Sequence, residues 1–176
     1  MERSASRTDT KGTGPTESGD QKALVVYYSR TGTTESVAEK IANQLPDPDV
    51  ARIRPRRERR YLSWLVRSAI PGSTVAIHPV SADLSAYDAV FLGSPKWTLS
   101  CPPVNAYLED ADLQGKTVGL FVTYGGFDEE RFTRSLADRL RSRGCAVPAT
   151  LLVKRDRANG DHLEDRVNRF VREVLG

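Results

Sequence analysis

The stretch that decides the fold is Ala23-Leu24-Val25-Val26-Tyr27-Tyr28-Ser29-Arg30-Thr31-Gly32-Thr33-Thr34. Its first half is a nearly unbroken apolar run, the pattern of a parallel strand buried on both faces. Its second half gathers hydroxyls around a glycine and opens directly into Glu35. From there Val37, Ala38, Ile41, Ala42 and Leu45 recur with helical spacing until Pro46 stops them. A buried strand that passes through a short polar loop into a helix is the first half of a βαβ unit.

The remainder of the chain repeats that unit. Residues 49–53 read as a weaker second strand, residues 61–70 as a short amphipathic segment ended by Pro71-Gly72, and residues 87–93 as a third buried strand. Pro102-Pro103 opens the next helix, because proline suits a first turn where its missing N–H is not needed, and that helix runs to about residue 109. Residues 117–123 form a fourth strand, and Phe132, Leu136 and Leu140 mark the core stripe of the helix behind it. Residues 146–153 make a fifth strand, which the missing donor of Pro148 assigns to a sheet edge. Leu163, Val167, Phe170, Val171 and Val174 line one face of the last helix. Strands alternating with helices predict an α/β fold, a doubly wound five-stranded parallel sheet with helices on both faces.

Residues 1–21 are Ser, Thr, Gly and mixed charge with almost nothing apolar, so ordering them would not be offset by burial; they are expected to be a disordered tail before a single domain over residues 22–176. With 39% hydrophobic and 28% charged residues in a chain of 176, the core needs no disulfide or structural metal. No run approaches the ~18 apolar residues of a membrane span, and the polar start lacks the apolar centre of a signal peptide. The expectation is a soluble, cytoplasmic protein.

Several chemistries drop out. Cys101 and Cys145 are too few and too isolated for a cysteine-based zinc site or an iron–sulfur cluster. A cysteine phosphatase needs arginine six positions after its nucleophile, where Tyr107 follows Cys101. His78 and His162 show no ligand spacing. No metal ligand and no catalytic side chain is assigned.

Ligands of a doubly wound sheet bind at the carboxyl ends of the strands where strand order reverses, so the loops after strands one, three and four carry the site. In the first, Ser29, Arg30, Thr31, Gly32, Thr33 and Thr34 bring hydroxyls, a glycine and a helix N-terminus together, which suits a phosphate; the competing reading is an ordinary helix N-cap. The loop lacks the lysine of a nucleotide triphosphate loop and the spaced glycines of a dinucleotide site. In the second, Pro95, Lys96 and Trp97 offer a flat aromatic face in a proline-bounded loop, or a packing tryptophan. In the third, Thr123, Tyr124, Gly125 and Gly126 bring main chain with little side-chain bulk to a ligand edge, or form a turn before a helix that Asp128 caps. A phosphate end, an aromatic platform and an amide-bonding edge together outline flavin mononucleotide (FMN).

These motifs, Ser-x-Thr-Gly-Thr-Thr, Gly-Ser-Pro-x-Trp followed by Pro-Pro-Val, and Thr-Tyr-Gly-Gly, resemble the flavodoxin family in its short-chain archaeal and bacterial branch. The resemblance spans residues 23–176. It implies strand order 2-1-3-4-5 and non-covalent FMN. It also implies a phosphate held by Ser29, Thr31, Gly32, Thr33, Thr34 and the Arg30 N–H, with Trp97 on one side of the ring and Tyr124, Gly125 and Gly126 on its other side or pyrimidine edge. The implied role is an electron carrier or a small NAD(P)H- or quinone-linked oxidoreductase. The alternative is a flavin-free binding or regulatory module that keeps the fold. Gly93-Ser94, standing where an aspartate would be required, counts against a phosphoacceptor receiver.

Lys96 in the tryptophan loop and the arginines of the second-strand region depart from carriers of the family, which are usually acidic around the flavin. Of the formal net charge of +3, residues 52–67 contribute seven arginines against one glutamate, leaving the rest of the chain at −3. With Tyr61 and Trp64 interleaved, that segment reads either as a docking site for an acidic redox protein, anionic lipid or nucleic acid, or as a solvated face, the sheet being covered by Leu62, Leu65, Val66 and Ile70. Nucleic acid is not expected. Cys101 stands at a helix start, where a thiolate would be favoured, though a lone cysteine also serves as a small buried apolar group.

Overall fold

The computed structural model describes residues 21–57, 61–80, 82–158, 160 and 162–176. The expected tail lies outside the described residues except for Gln21, as do Arg59 and Arg60 of the arginine segment. Five strands form one sheet: β1 (Ala23–Tyr27), β2 (Asp49–Arg52), β3 (Ala89–Pro95), β4 (Thr117–Tyr124) and β5 (Thr150–Lys154). Their spatial order is β2-β1-β3-β4-β5, and every pair is parallel. The helices are α1 (Thr33–Ala42), α2 (Tyr61–Ser68), α3 (Pro102–Asp110), α4 (Glu129–Ser142) and α5 (His162–Leu175).

The apolar run of β1 is explained by two cores. Leu24 and Val26 face one side of the sheet with Val90, Leu92, Val118, Leu120 and Val122, under α3 and α4. Ala23, Val25 and Tyr27 face the other with Phe91, Phe121 and Val153, under α1 and α5. Alternation along one strand thus feeds both layers. The chain leaves β1 toward β2 on one side and returns to β3 on the other. That reversal leaves a crevice at the carboxyl ends of β1 and β3.

The strands differ from expectation at their ends. β3 begins at Ala89 and runs to Pro95, because its ladder with β4 continues through Ser94 opposite Val122 and Pro95 opposite Thr123. Tyr87 stays outside and donates to Asp49 Oδ2 at 2.7 Å. β5 begins only at Thr150; Ala146 makes an isolated bridge to Thr117, and Pro148 precedes the strand, so its missing donor costs no ladder bond. β5 is still an edge.

Gly93 lies where the sheet leaves no room for a side chain. A Cβ there would stand 2.3 Å from Phe121 Cζ and 2.7 Å from Tyr27 Cβ. That glycine lets the aromatic rings of neighbouring strands pack at the mouth of the crevice.

Candidate functional site

The loop after β1 is built by backbone and side chain together. Ser29 is buried, and its Oγ accepts the Gly32 N–H at 3.1 Å, closing a tight turn. Gly32 has φ +87, a left-handed conformation that glycine adopts without strain. It is also the N-cap of α1, and no side chain caps that helix. The hydroxyls of the loop therefore do not perform the capping that their residue types suggest.

A clasp from β2 fixes the same loop. Arg52 Nη2 donates to the Ser29 carbonyl at 2.9 Å, and Nη1 donates to Glu35 Oε1 at 2.9 Å. Tyr27 Oη donates to the same carboxylate oxygen at 3.0 Å. Burial, followed by this bond to Glu35, pushes the Tyr27 hydroxyl up to about 12. Arg52 thus turns toward the loop.

Thr34 is buried and its hydroxyl lies 2.7 Å from that of Thr123 at the end of β4. Thr31 and Thr33 line the cleft beside it. The loop after β3 is held by Lys96 N–H donating to the Thr123 carbonyl at 2.7 Å. Trp97 packs edge-on against Tyr28, centroids 5.6 Å apart, and against Trp64 of α2 at 5.1 Å. The C-terminus of α2 clasps the same loop. The Ser68 hydroxyl lies 2.7 Å from that of Thr98, and the Ser68 carbonyl accepts the N–H groups of Leu99 and Ser100 at 3.0 and 2.9 Å.

These loops enclose one cleft of about 380 Å³, within the ordinary range for a small-molecule site. Arg30, Thr31, Thr33 and Thr34 line it from α1's side, Pro95, Lys96 and Trp97 from β3, and Thr123, Tyr124, Gly125 and Gly126 from β4. Ser29 and Gly32 do not line it; they shape the turn beneath. Arg155, in a single 3-10 turn after β5, does line it, and sequence reasoning missed it. A Cβ on Gly125 would lie 3.4 Å from Arg155 Cζ. The only signal for Arg155 was its position at the carboxyl end of the fifth strand.

The described lining carries three cations, Arg30, Lys96 and Arg155, and no carboxylate. Asp128 does not cap α4 with its side chain; it holds a left-handed φ of 65 instead. Cys101 is buried at the start of α3, and burial pushes its thiol up to about 12. Desolvation outweighs the helix end, so the group is a neutral thiol at physiological pH.

A family model described as Flavodoxin matches residues 22–173. A protein of Archaeoglobus fulgidus, itself uncharacterised, is 29% identical over 150 residues, which is 83% of this chain and 96% of that one. Among solved structures, a protein assigned to the flavoproteins from Bacteroides eggerthii superposes with TM-score 0.72 at 27% identity, over 88% of this chain and 98% of its own. A flavoprotein from Lactobacillus acidophilus in complex with FMN superposes with TM-score 0.61 at 20% identity, over 75% of this chain and 93% of its own, and shares the fold. The chain belongs to the flavodoxin family.

Proposed function

We propose that this chain binds FMN non-covalently in the cleft at the carboxyl edge of β1, β3 and β4 and passes electrons through it. The observation that carries the reading is the pairing of a helix N-terminus without a side-chain cap with Thr31, Thr33 and a lining that holds cations but no carboxylate. Such a lining stabilises an anion. The FMN complex of the Lactobacillus acidophilus flavoprotein, which shares the fold, supports the same cofactor.

In that reading Thr31, Thr33 and the first N–H groups of α1 hold the phosphate. Ser29 and Gly32 keep the turn in shape, Arg52 and Glu35 keep it attached to β2, and Trp97 covers a ring face. Tyr124, Gly125 and Gly126 meet the ring edge. Bound flavin supplies hydride or single-electron transfer at its ring; the protein supplies orientation and sets the potential. Neutral Cys101 takes no part. The electron partner is a redox protein, NAD(P)H or a quinone.

The test is a titration of the cofactor-free protein with FMN. A flavin absorption shift with quenched fluorescence at micromolar FMN supports the reading; no change would identify a flavin-free module instead. Reduction of the loaded protein by NADH or NADPH, and its reoxidation by quinones, then separates oxidoreductase from carrier.

A further inference from the structure

The sequence assigns Leu62, Leu65, Val66 and Ile70 to covering the sheet, but the inward contacts of α2 are made by Trp64 and Ser68, 1% and 0% exposed. Leu62, Val66 and Ile70 stand outside at 70%, 62% and 56% exposure. Their spacing of four puts them along one side of the helix and the turn that follows it. Leu99, 51% exposed, is held against the end of that ridge by its N–H bond to the Ser68 carbonyl. A surface helix normally turns polar residues outward, and this one is apolar on both sides. Single exposed leucines are ordinary; a contiguous ridge of them marks a contact surface.

The charge carried by this stretch of the chain bears on what the ridge meets. Between residues 52 and 82 the chain carries seven arginines and, as its one acidic residue, Glu58. Arg54, Arg56 and Arg57 are exposed, and Arg67 lies on α2 itself. A second copy of this chain would bring arginine against arginine. Residues 1–20 contain no Leu, Ile, Val, Phe, Tyr or Trp with which to cover the ridge. The required surface is anionic and accepts apolar side chains without a matching groove. A bilayer of anionic lipid has both properties: leucine and isoleucine enter the boundary between headgroups and acyl chains while arginines meet lipid phosphates.

We propose that α2, with Leu99 and the exposed Arg54, Arg56 and Arg57, seats this protein on an anionic membrane surface. The docking stands on its own; its consequence rests on the flavin reading. Trp64 and Ser68 join α2 directly to the Trp97 loop, so the membrane-facing helix forms the back of the aromatic wall of the cleft. A flavin held there would lie beside the bilayer, within reach of a lipid-soluble quinone.

The experiment is co-sedimentation of the full chain, without added FMN, with vesicles of phosphatidylglycerol and phosphatidylcholine and with phosphatidylcholine alone. Binding is expected to the anionic vesicles and to weaken as salt rises. The variant L62Q/V66Q/I70Q changes only exposed side chains and should lower that binding by roughly tenfold or more. The variant R54Q/R57Q should lower it by a similar factor. Unchanged melting curves would show that both variants fold. The proposal is overturned if anionic vesicles bring down no protein, or if the apolar variant binds as the parent does, which would leave only charge attraction. It is equally overturned if sedimentation velocity reveals a dimer that the apolar variant abolishes. FMN titration of the same samples is a separate readout, so vesicle binding without flavin binding would sink the flavin reading and leave the docking standing.

Discussion

The hydroxyls of Thr34 and Thr123, buried and 2.7 Å apart, join the first turn of α1 to the end of β4 across the floor of the cleft. This pair commits the Thr34 hydroxyl to a partner within the protein, although Thr34 lines the cleft with Thr31 and Thr33. Thr34→Val should leave the Thr123 hydroxyl buried without that partner and cost about 1 to 3 kcal/mol in denaturant unfolding, whereas T34V/T123V removes both polar groups and should recover most of the loss. A double variant as unstable as the sum of the singles would show that the pair is not coupled.

Gly93 and Gly126 separate a packing glycine from a site glycine. Gly93→Ala drives a Cβ against Phe121 and Tyr27, within the sheet, and should cost about 1 to 3 kcal/mol or more. Nothing lies within 4 Å of a Cβ on Gly126. Gly126→Val should therefore leave the melting temperature nearly unchanged and weaken FMN. A stability loss at Gly126 equal to that at Gly93 would remove it from the ligand edge.

Much of this was legible in the sequence, and the failures have physical causes. Apolar runs placed β1, β3 and β4, and helical spacing placed α1, α4 and α5, because both faces of the central strands are covered. Strand ends were misplaced where ladder bonds, not side chains, decide them, as at Pro95 and Thr150. The motif 29–34 was found as a unit, yet its division of labour was not: whether a hydroxyl meets a ligand, a helix or another hydroxyl depends on partners far away in sequence. Arg155 had no motif to announce it. The outward face of α2 was misassigned because Leu62, Val66 and Ile70 show the same periodicity whether the side they share is covered or bare.

Alkaline pH should expose the buried acids of the core. Burial raises the Tyr107 hydroxyl and the Cys101 thiol to about 12, and burial with the Glu35 bond does the same for Tyr27. Each group is neutral when protonated and ionises more readily unfolded, so its contribution is complete below the ordinary value, near 9 for the thiol and 10 for the phenols, and is lost as pH climbs toward 12. Unfolding free energy should thus fall across that window. Cys101→Ala should delay the onset. Tyr107 Oη has no hydrogen-bond partner among the described residues, so Tyr107→Phe should be neutral or stabilising at pH 7 and should flatten the upper part of the curve. A pH profile unchanged by both substitutions would contradict these assignments.

Lys96 and Arg155 place positive charge on the cleft. Reduced flavin carries more negative charge than oxidised flavin, so cations there favour reduction. Lys96→Glu and Arg155→Glu should each lower the potential of the bound flavin by an amount on the order of tens of millivolts at low salt, and less as salt rises. Spectroelectrochemical titration of the loaded variants measures this directly. Potentials equal to that of the parent would mean that neither cation faces the ring.

The phosphate assignment is decided by comparing two ligands that share a ring. Thr31 and Thr33 line the cleft, and α1 has no side-chain cap for their replacement to disturb. If both hydroxyls bond the phosphate, T31V/T33V removes two hydrogen bonds to a charged group, each worth about 1.5 to 3 kcal/mol. FMN binding should then weaken by roughly two to four orders of magnitude. Riboflavin has the isoalloxazine ring without the phosphate, and its affinity should hardly change. The melting temperature should also hold, because a helix with no side-chain cap loses none. Equal losses for FMN and riboflavin, or a cap-sized fall of about 1 kcal/mol in stability, would show that the threonines shape the loop rather than grip the phosphate, and the anion end of the cleft would have to be placed at Arg30, Lys96 and Arg155 instead.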